Sequence, residues 1–178
     1  MHLSVELAYF GVCALVSLVV FFMVGFWYVL PRLSVLALPA ALTPLLLFSA
    51  FRVNGLFFLV PGVASPNIPR GFALPTAYGD ATSAILAVVA VVALRYWPSA
   101  GIALTWIYGV LGSLDLLNAL IQVVIQGVMP AHLAATWILP TLNVPALIVV
   151  HLLVFVLLLR GLRRKGQVTA VNKKIEPS

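Results

Sequence analysis

Charge is scarce in this sequence. Only 8% of its 178 residues are Asp, Glu, Lys or Arg, and the acidic ones number four: Glu6, Asp80, Asp115 and Glu176. A soluble domain carries about a quarter charged residues to cover its water-facing surface, so this composition excludes one. Disorder is excluded by the opposite test, since 63% of the residues are hydrophobic and mean hydropathy is +1.18. Cysteine is almost absent as well. The single Cys13 can build no intramolecular disulfide, CxxC redox pair or thiolate metal cluster, and it reads as a small residue packed against a neighbouring helix. No lysine precedes Lys165, so no apolar run offers a Schiff-base amine. The GxSxG, HExxH, Walker A and GxGxxG patterns are missing, and no Glu-x-x-His pair supplies a di-metal site. No catalytic set or metal site can be assembled from what remains, and no cofactor is assigned.

What is present is apolar length. A spanning helix needs about 20 mostly apolar residues, and five runs qualify: about 5–30, 33–63, 75–94, 100–127 and 144–159. The fold class expected is all-α, an integral membrane bundle of five transmembrane helices over residues 1–159. The second run is the anomaly. As one helix it would extend about 46 Å, beyond the hydrocarbon thickness, and it holds Pro39, Pro44, Pro61 and the sequence Arg52-Val53-Asn54-Gly55. It is therefore expected to be kinked, or broken near Phe51 with a short outer segment following. The first run is expected to stop at Pro31-Arg32. A short interfacial helix is expected within 128–143, with His132 solvated there.

The net charge of +6 sits at one end: six of the ten basic residues (Arg160, Arg163, Arg164, Lys165, Lys173 and Lys174) follow position 159. Residues 160–178 read as a basic cytoplasmic tail that meets anionic lipid, not as a nucleic-acid surface. With that tail inside, five crossings put the N-terminus outside and leave only Arg70 in the outer connections. The localisation expected is a bacterial inner membrane, multi-pass.

Ionisable groups at membrane depth cost a few kcal/mol each on insertion scales. Arg52, Asp80, Asp115 and His151 lie within the apolar runs. Arg52 and Asp80 fall at similar depth on adjacent segments, and the expectation is an ion pair between them. On the fourth run, Tyr108, Asp115, Asn118, Gln122 and Gln126 share an arc of roughly 80°. Such a stripe must face other helices or water, and it is expected to line a hydrated cavity open to the outside. His151, at about the depth of Asp115, is a candidate proton-responsive partner for it. These six residues are the candidate ligand- or proton-binding set.

The segments Phe51–Leu59, Ile68–Pro75 and Tyr78-Gly79-Asp80 resemble a pattern in small uncharacterised bacterial polytopic membrane proteins. The resemblance covers about 30 positions, implies no activity, and groups Arg52, the proline-rich loop and Asp80 as one unit. The function expected is binding or movement of a small solute or protons through an outward-facing polar cavity. The alternative is an accessory subunit of a larger membrane complex, with a membrane-embedded enzyme third. So short a chain is also compatible with a homo-oligomer.

Overall fold

A computed structural model of the chain describes the backbone of residues 2–175 and the side chains of residues 5–163. Its regular elements are helices: α1 (His2–Met23), α2 (Leu30–Ser34), α3 (Leu38–Ser49), α4 (Arg70–Tyr96), α5 (Pro98–Ile125) and α6 (Val144–Ile175). Short 3₁₀ and π segments join several of them. Together they make five helices long and apolar enough to cross a membrane, over Val5–Ser34, Leu38–Leu59, Arg70–Tyr96, Pro98–Ile125 and Ala134–Arg163.

The first of these does not stop at Pro31. A π-helical stretch, Val24–Val29, joins α1 to α2, and the Leu30 N–H donates to the Gly25 carbonyl. The π winding ends where Pro31, which has no N–H to give the preceding turn, enters at the start of α2, and the helix continues past it. The chain then turns through 35–37 into α3. The last helix likewise starts earlier than its composition suggests. Segments Ala134–Trp137 (3₁₀) and Leu139–Asn143 (π) lead into α6 without a separate interfacial helix. His132 caps the small turn before them, its Nδ1 accepting the Met129 N–H at 3.0 Å. The backbone of α6 continues as helix to Ile175, although the side chains from Arg164 onward lie outside the described residues.

In the second run the α-helix ends at Ser49, close to the expected Phe51, but the chain stays helical beyond it. It changes winding: α3 passes at Ala50 into a ten-residue 3₁₀ helix, Ala50–Leu59. Its buried residues, Arg52, Gly55 and Phe58, recur every third position. At three residues per turn these stand on one line, whereas α winding would spread them round the helix. One 3₁₀ turn rises about 6 Å, which matches the i, i+4 step of an α-helix. The line Arg52, Gly55, Phe58 therefore stays in register with Asp80, Thr76 and Phe72 on α4. Phe58 and Phe72 meet edge-on at 5.2 Å. Runs of 3₁₀ this long are uncommon, and they mark strain or a site.

Helices α4 and α5 form the most extensive helix pair, joined through Trp97 alone. A line of small buried residues on α4 (Ala77, Ala84, Ala87 and Ala90) admits its neighbours closely. The main apolar core joins α3, α4, α5 and α6, around Leu42, Leu46, Val154 and Leu158. A second, smaller core of Phe58, Phe72, Ala73, Leu133 and Leu139 lies at the opposite end. Helix α1 stands apart: it packs on α6 and on the segments before it, and most of its surface is exposed. Cys13 lies on that exposed surface, contrary to the packed position expected, because α1 has neighbours along one side only.

Candidate functional site

Between the two apolar cores sits Arg52, with no exposed surface. Its Nε donates to Asp80 Oδ1 at 2.8 Å, its Nη1 to the Gly112 carbonyl at 2.9 Å, and its Nη2 to Asp115 Oδ2 at 2.5 Å. Each nitrogen of the guanidinium is thus engaged, by two carboxylates and one backbone oxygen. A planar, always-charged fork suits this arrangement in a way a lysine would not. One guanidinium against two carboxylates leaves the cluster with a formal charge of −1. Both carboxylate side chains keep 16% exposure.

Glycine makes the approach possible. A methyl group built on Gly55 would collide with the Asp80 carboxylate, and one on Gly79 with that of Asp115. On Gly112 it would lie 2.7 Å from His151 Nε2 and 3.0 Å from Arg52 Nη1. All three segments that meet at the cluster are therefore bare where its side chains pass.

His151 belongs to the same layer but not as a partner of Asp115. Its Nδ1–H donates to the Leu147 carbonyl at 2.9 Å, and its ring lies 5.1 Å from that of the buried Tyr108. Nε2 faces Gly112 and the Arg52 side chain and has no hydrogen-bond partner among the described residues. No hydrogen bond joins Asp115 to His151, because Arg52 engages the carboxylate and the α6 backbone engages the ring.

The rest of the stripe continues along α5 beyond the cluster. Asn118 and Gln122 are half-buried, and the exposed Gln126 lies against Gly71. None of the stripe residues lines the internal cavity that α5 borders. That cavity, of about 310 Å³, is bounded by Leu116, Ala119, Leu120 and Val123 of α5, a face turned about 90° from the stripe. Phe10, Ala14, Leu15 and Leu18 of α1 face it, and Leu139 to Ile148 close its back. Its walls are apolar with three exceptions: Asp80, Thr76 and Asn143. Thr76 precedes Asp80 by one turn on α4, and its Oγ1 is buried without a hydrogen-bond partner among the described residues. Leu15 and Leu120, at the mouth between α1 and α5, are 62% and 52% exposed.

A family model for a domain of unknown function, DUF8737, matches residues 9–159. The chain belongs to that family. No curated protein and no solved structure gives a match. The DUF8737 region contains the whole cluster and the whole cavity, whereas the resemblance noted in the sequence reached only Arg52 and Asp80. It ends at Leu159, one residue before the basic run begins.

Sequence reasoning singled out Arg52, Asp80, Asp115, Tyr108 and His151, and the structure gathers these into one layer. It missed Thr76, Asn143 and the three glycines. The i, i+4 spacing of Thr76 and Asp80 was a usable signal, since residues so spaced share a helix face. Gly79 stands beside Asp80 and Gly112 borders the polar stripe, but their importance comes from what approaches them, which no local pattern shows.

Proposed function

We propose that this DUF8737 chain is a multi-pass membrane protein that binds a small lipophilic solute within the bilayer, in the cavity between α1 and α5. The cytoplasmic membrane is its place, with the basic C-terminal tail inside and the N-terminus outside, as the Lys/Arg asymmetry of the connections favours. One observation carries the reading: an apolar cavity of about 310 Å³ whose wall includes Asp80 and, one turn away on the same helix face, Thr76 with an unpartnered hydroxyl. Binding sites for small molecules have this composition, apolar walls with a few placed polar groups, at volumes from about 300 Å³ upward. The sparse contact between α1 and α5 gives a lateral way in from the lipid.

The polar stripe serves packing in this reading. Asn118, Gln122 and Gln126 lie off the cavity wall, and the role given to a hydrated channel passes to the apolar cleft. Asp115, Tyr108 and His151 act on the site through Arg52, which fixes the orientation of Asp80.

The test is saturable binding of octanol by calorimetry, with the protein in zwitterionic lipid nanodiscs and empty discs subtracted. Wild type should saturate at one site per chain. Leu120→Trp, which lays an indole across the mouth from an exposed position, should weaken binding at least tenfold while leaving thermal unfolding unchanged. Octanol uptake equal to that of empty discs would contradict the proposal.

A further inference from the structure

We infer that the cavity selects a lipophilic cation, a monovalent ammonium on a compact apolar body, with Asp80 as its counter-ion. The inference rests on the binding reading above and adds the charge of the ligand. It starts from what reaches the cavity wall. Arg52 is the charge nearest Asp80, yet it is fully buried and does not line the cavity; among the lining residues Asp80 alone is charged. A ligand in the cavity therefore meets a carboxylate and no guanidinium.

Charge balance points the same way. Arg52 neutralises one of its two carboxylates, and the formal −1 that remains is held among apolar helices, where an uncompensated charge is costly. An ammonium in the cavity completes the balance. An anionic ligand would double the excess instead.

Hydrogen bonding gives the third argument. Asp80 Oδ1 accepts from Arg52, but no hydrogen bond among the described residues reaches Oδ2, which lies toward Gly55. Gly55 and Asp80 both line the cavity, and the missing side chain lets the carboxylate lie at its wall against the Gly55 backbone. One turn away, Thr76 Oγ1 is a buried acceptor without a partner, and its residue is only 5% exposed. The carboxylate is the acceptor at the wall, and the Thr76 hydroxyl one turn behind it on the same helix face is a second acceptor that a small side-chain rotation would offer to an ammonium's donors. The apolar walls beyond them take the body of the molecule.

The experiment compares octylammonium, octanol and octanoate, which share one apolar chain and differ in head charge. Each is titrated into the full-length protein in zwitterionic nanodiscs, with empty discs subtracted. Octylammonium is expected to bind at least tenfold more tightly than octanol, and octanoate more weakly than either. Asp80→Asn should bring octylammonium down to the level of octanol without abolishing octanol binding. Asp115→Asn lies off the cavity wall and removes the same excess charge through Arg52. It should also reduce the ammonium preference, so the result does not depend on either variant alone. Thr76→Val should weaken ammonium and alcohol alike by a few fold. Equal binding of octanol and octylammonium, or a preference for octanoate, would overturn the cation assignment and leave the cavity standing. Failure of all three to saturate would overturn the cavity reading itself.

Discussion

At the scale of single residues, the central fact is that Arg52 has two carboxylate partners. A simple Arg52–Asp80 pair would make each residue indispensable, since removing either strands the other's charge. The triad behaves differently. Asp80→Asn leaves a neutral Arg52–Asp115 pair, and Asp115→Asn leaves a neutral Arg52–Asp80 pair. Each should cost less than about 2 kcal/mol, because the lost charge-assisted hydrogen bond is offset by removal of the excess charge. Arg52→Gln strands two carboxylates and should cost about 3–5 kcal/mol, as should the double Asp80→Asn, Asp115→Asn variant, which strands the guanidinium. Unfolding free energies in detergent micelles check the order. An Arg52→Gln no worse than Asp80→Asn would contradict it. The glycines extend the argument. Gly79→Ala and Gly112→Ala force a methyl into Asp115 or against His151 and Arg52, and each should destabilise by about 1–3 kcal/mol. Gly11→Ala meets nothing within 4 Å and should be neutral or stabilising by up to about 1 kcal/mol in the same assay.

At the scale of elements, the sequence carried more of the helices than of their winding. Five apolar runs were legible because length and composition decide them. Their ends were not, because proline was read as a stop. Pro31 sits after a π segment and Pro75 sits inside α4, near its start, and neither ends its helix. The 3₁₀ segment was invisible for another reason. A three-residue period in Arg52, Gly55 and Phe58 is no apolar period, since one member is charged and one has no side chain. Only the partner face on α4 reveals it. The cavity shows the same limit: it lies a quarter turn from the polar stripe of α5, on a face of Leu, Ala and Val that carries no polar signal. Gly55→Ala tests the element directly. It should disturb the Asp80 contact and lower the unfolding temperature, whereas Val53→Ala, on the exposed side of the same segment, should leave it nearly unchanged.

At the scale of the whole molecule, α1 is a loosely attached helix laid over a bundle formed by the rest. That arrangement makes the cleft and predicts a measurable exposure. Cys13, the single cysteine, can carry a spin label without further mutagenesis. In bilayers its collision with molecular oxygen should exceed that with a water-soluble nickel chelate, as for a lipid-facing site. The reverse ratio would place α1 elsewhere. The orientation proposed for the chain predicts that a reporter fused after Ser178 is active only in the cytoplasm.

The measurement that bears most directly on the site is photolabelling with an octylammonium carrying a diazirine on its chain, mapped by peptide mass spectrometry in nanodiscs. The account predicts adducts on Phe10 to Leu18 of α1 and on Leu116 to Val123 of α5, suppressed by excess unlabelled octylammonium and absent in Leu120→Trp. Labelling spread over the exposed surfaces of α1 and α5, indifferent to competitor, would mean that the cleft binds nothing the surrounding lipid does not.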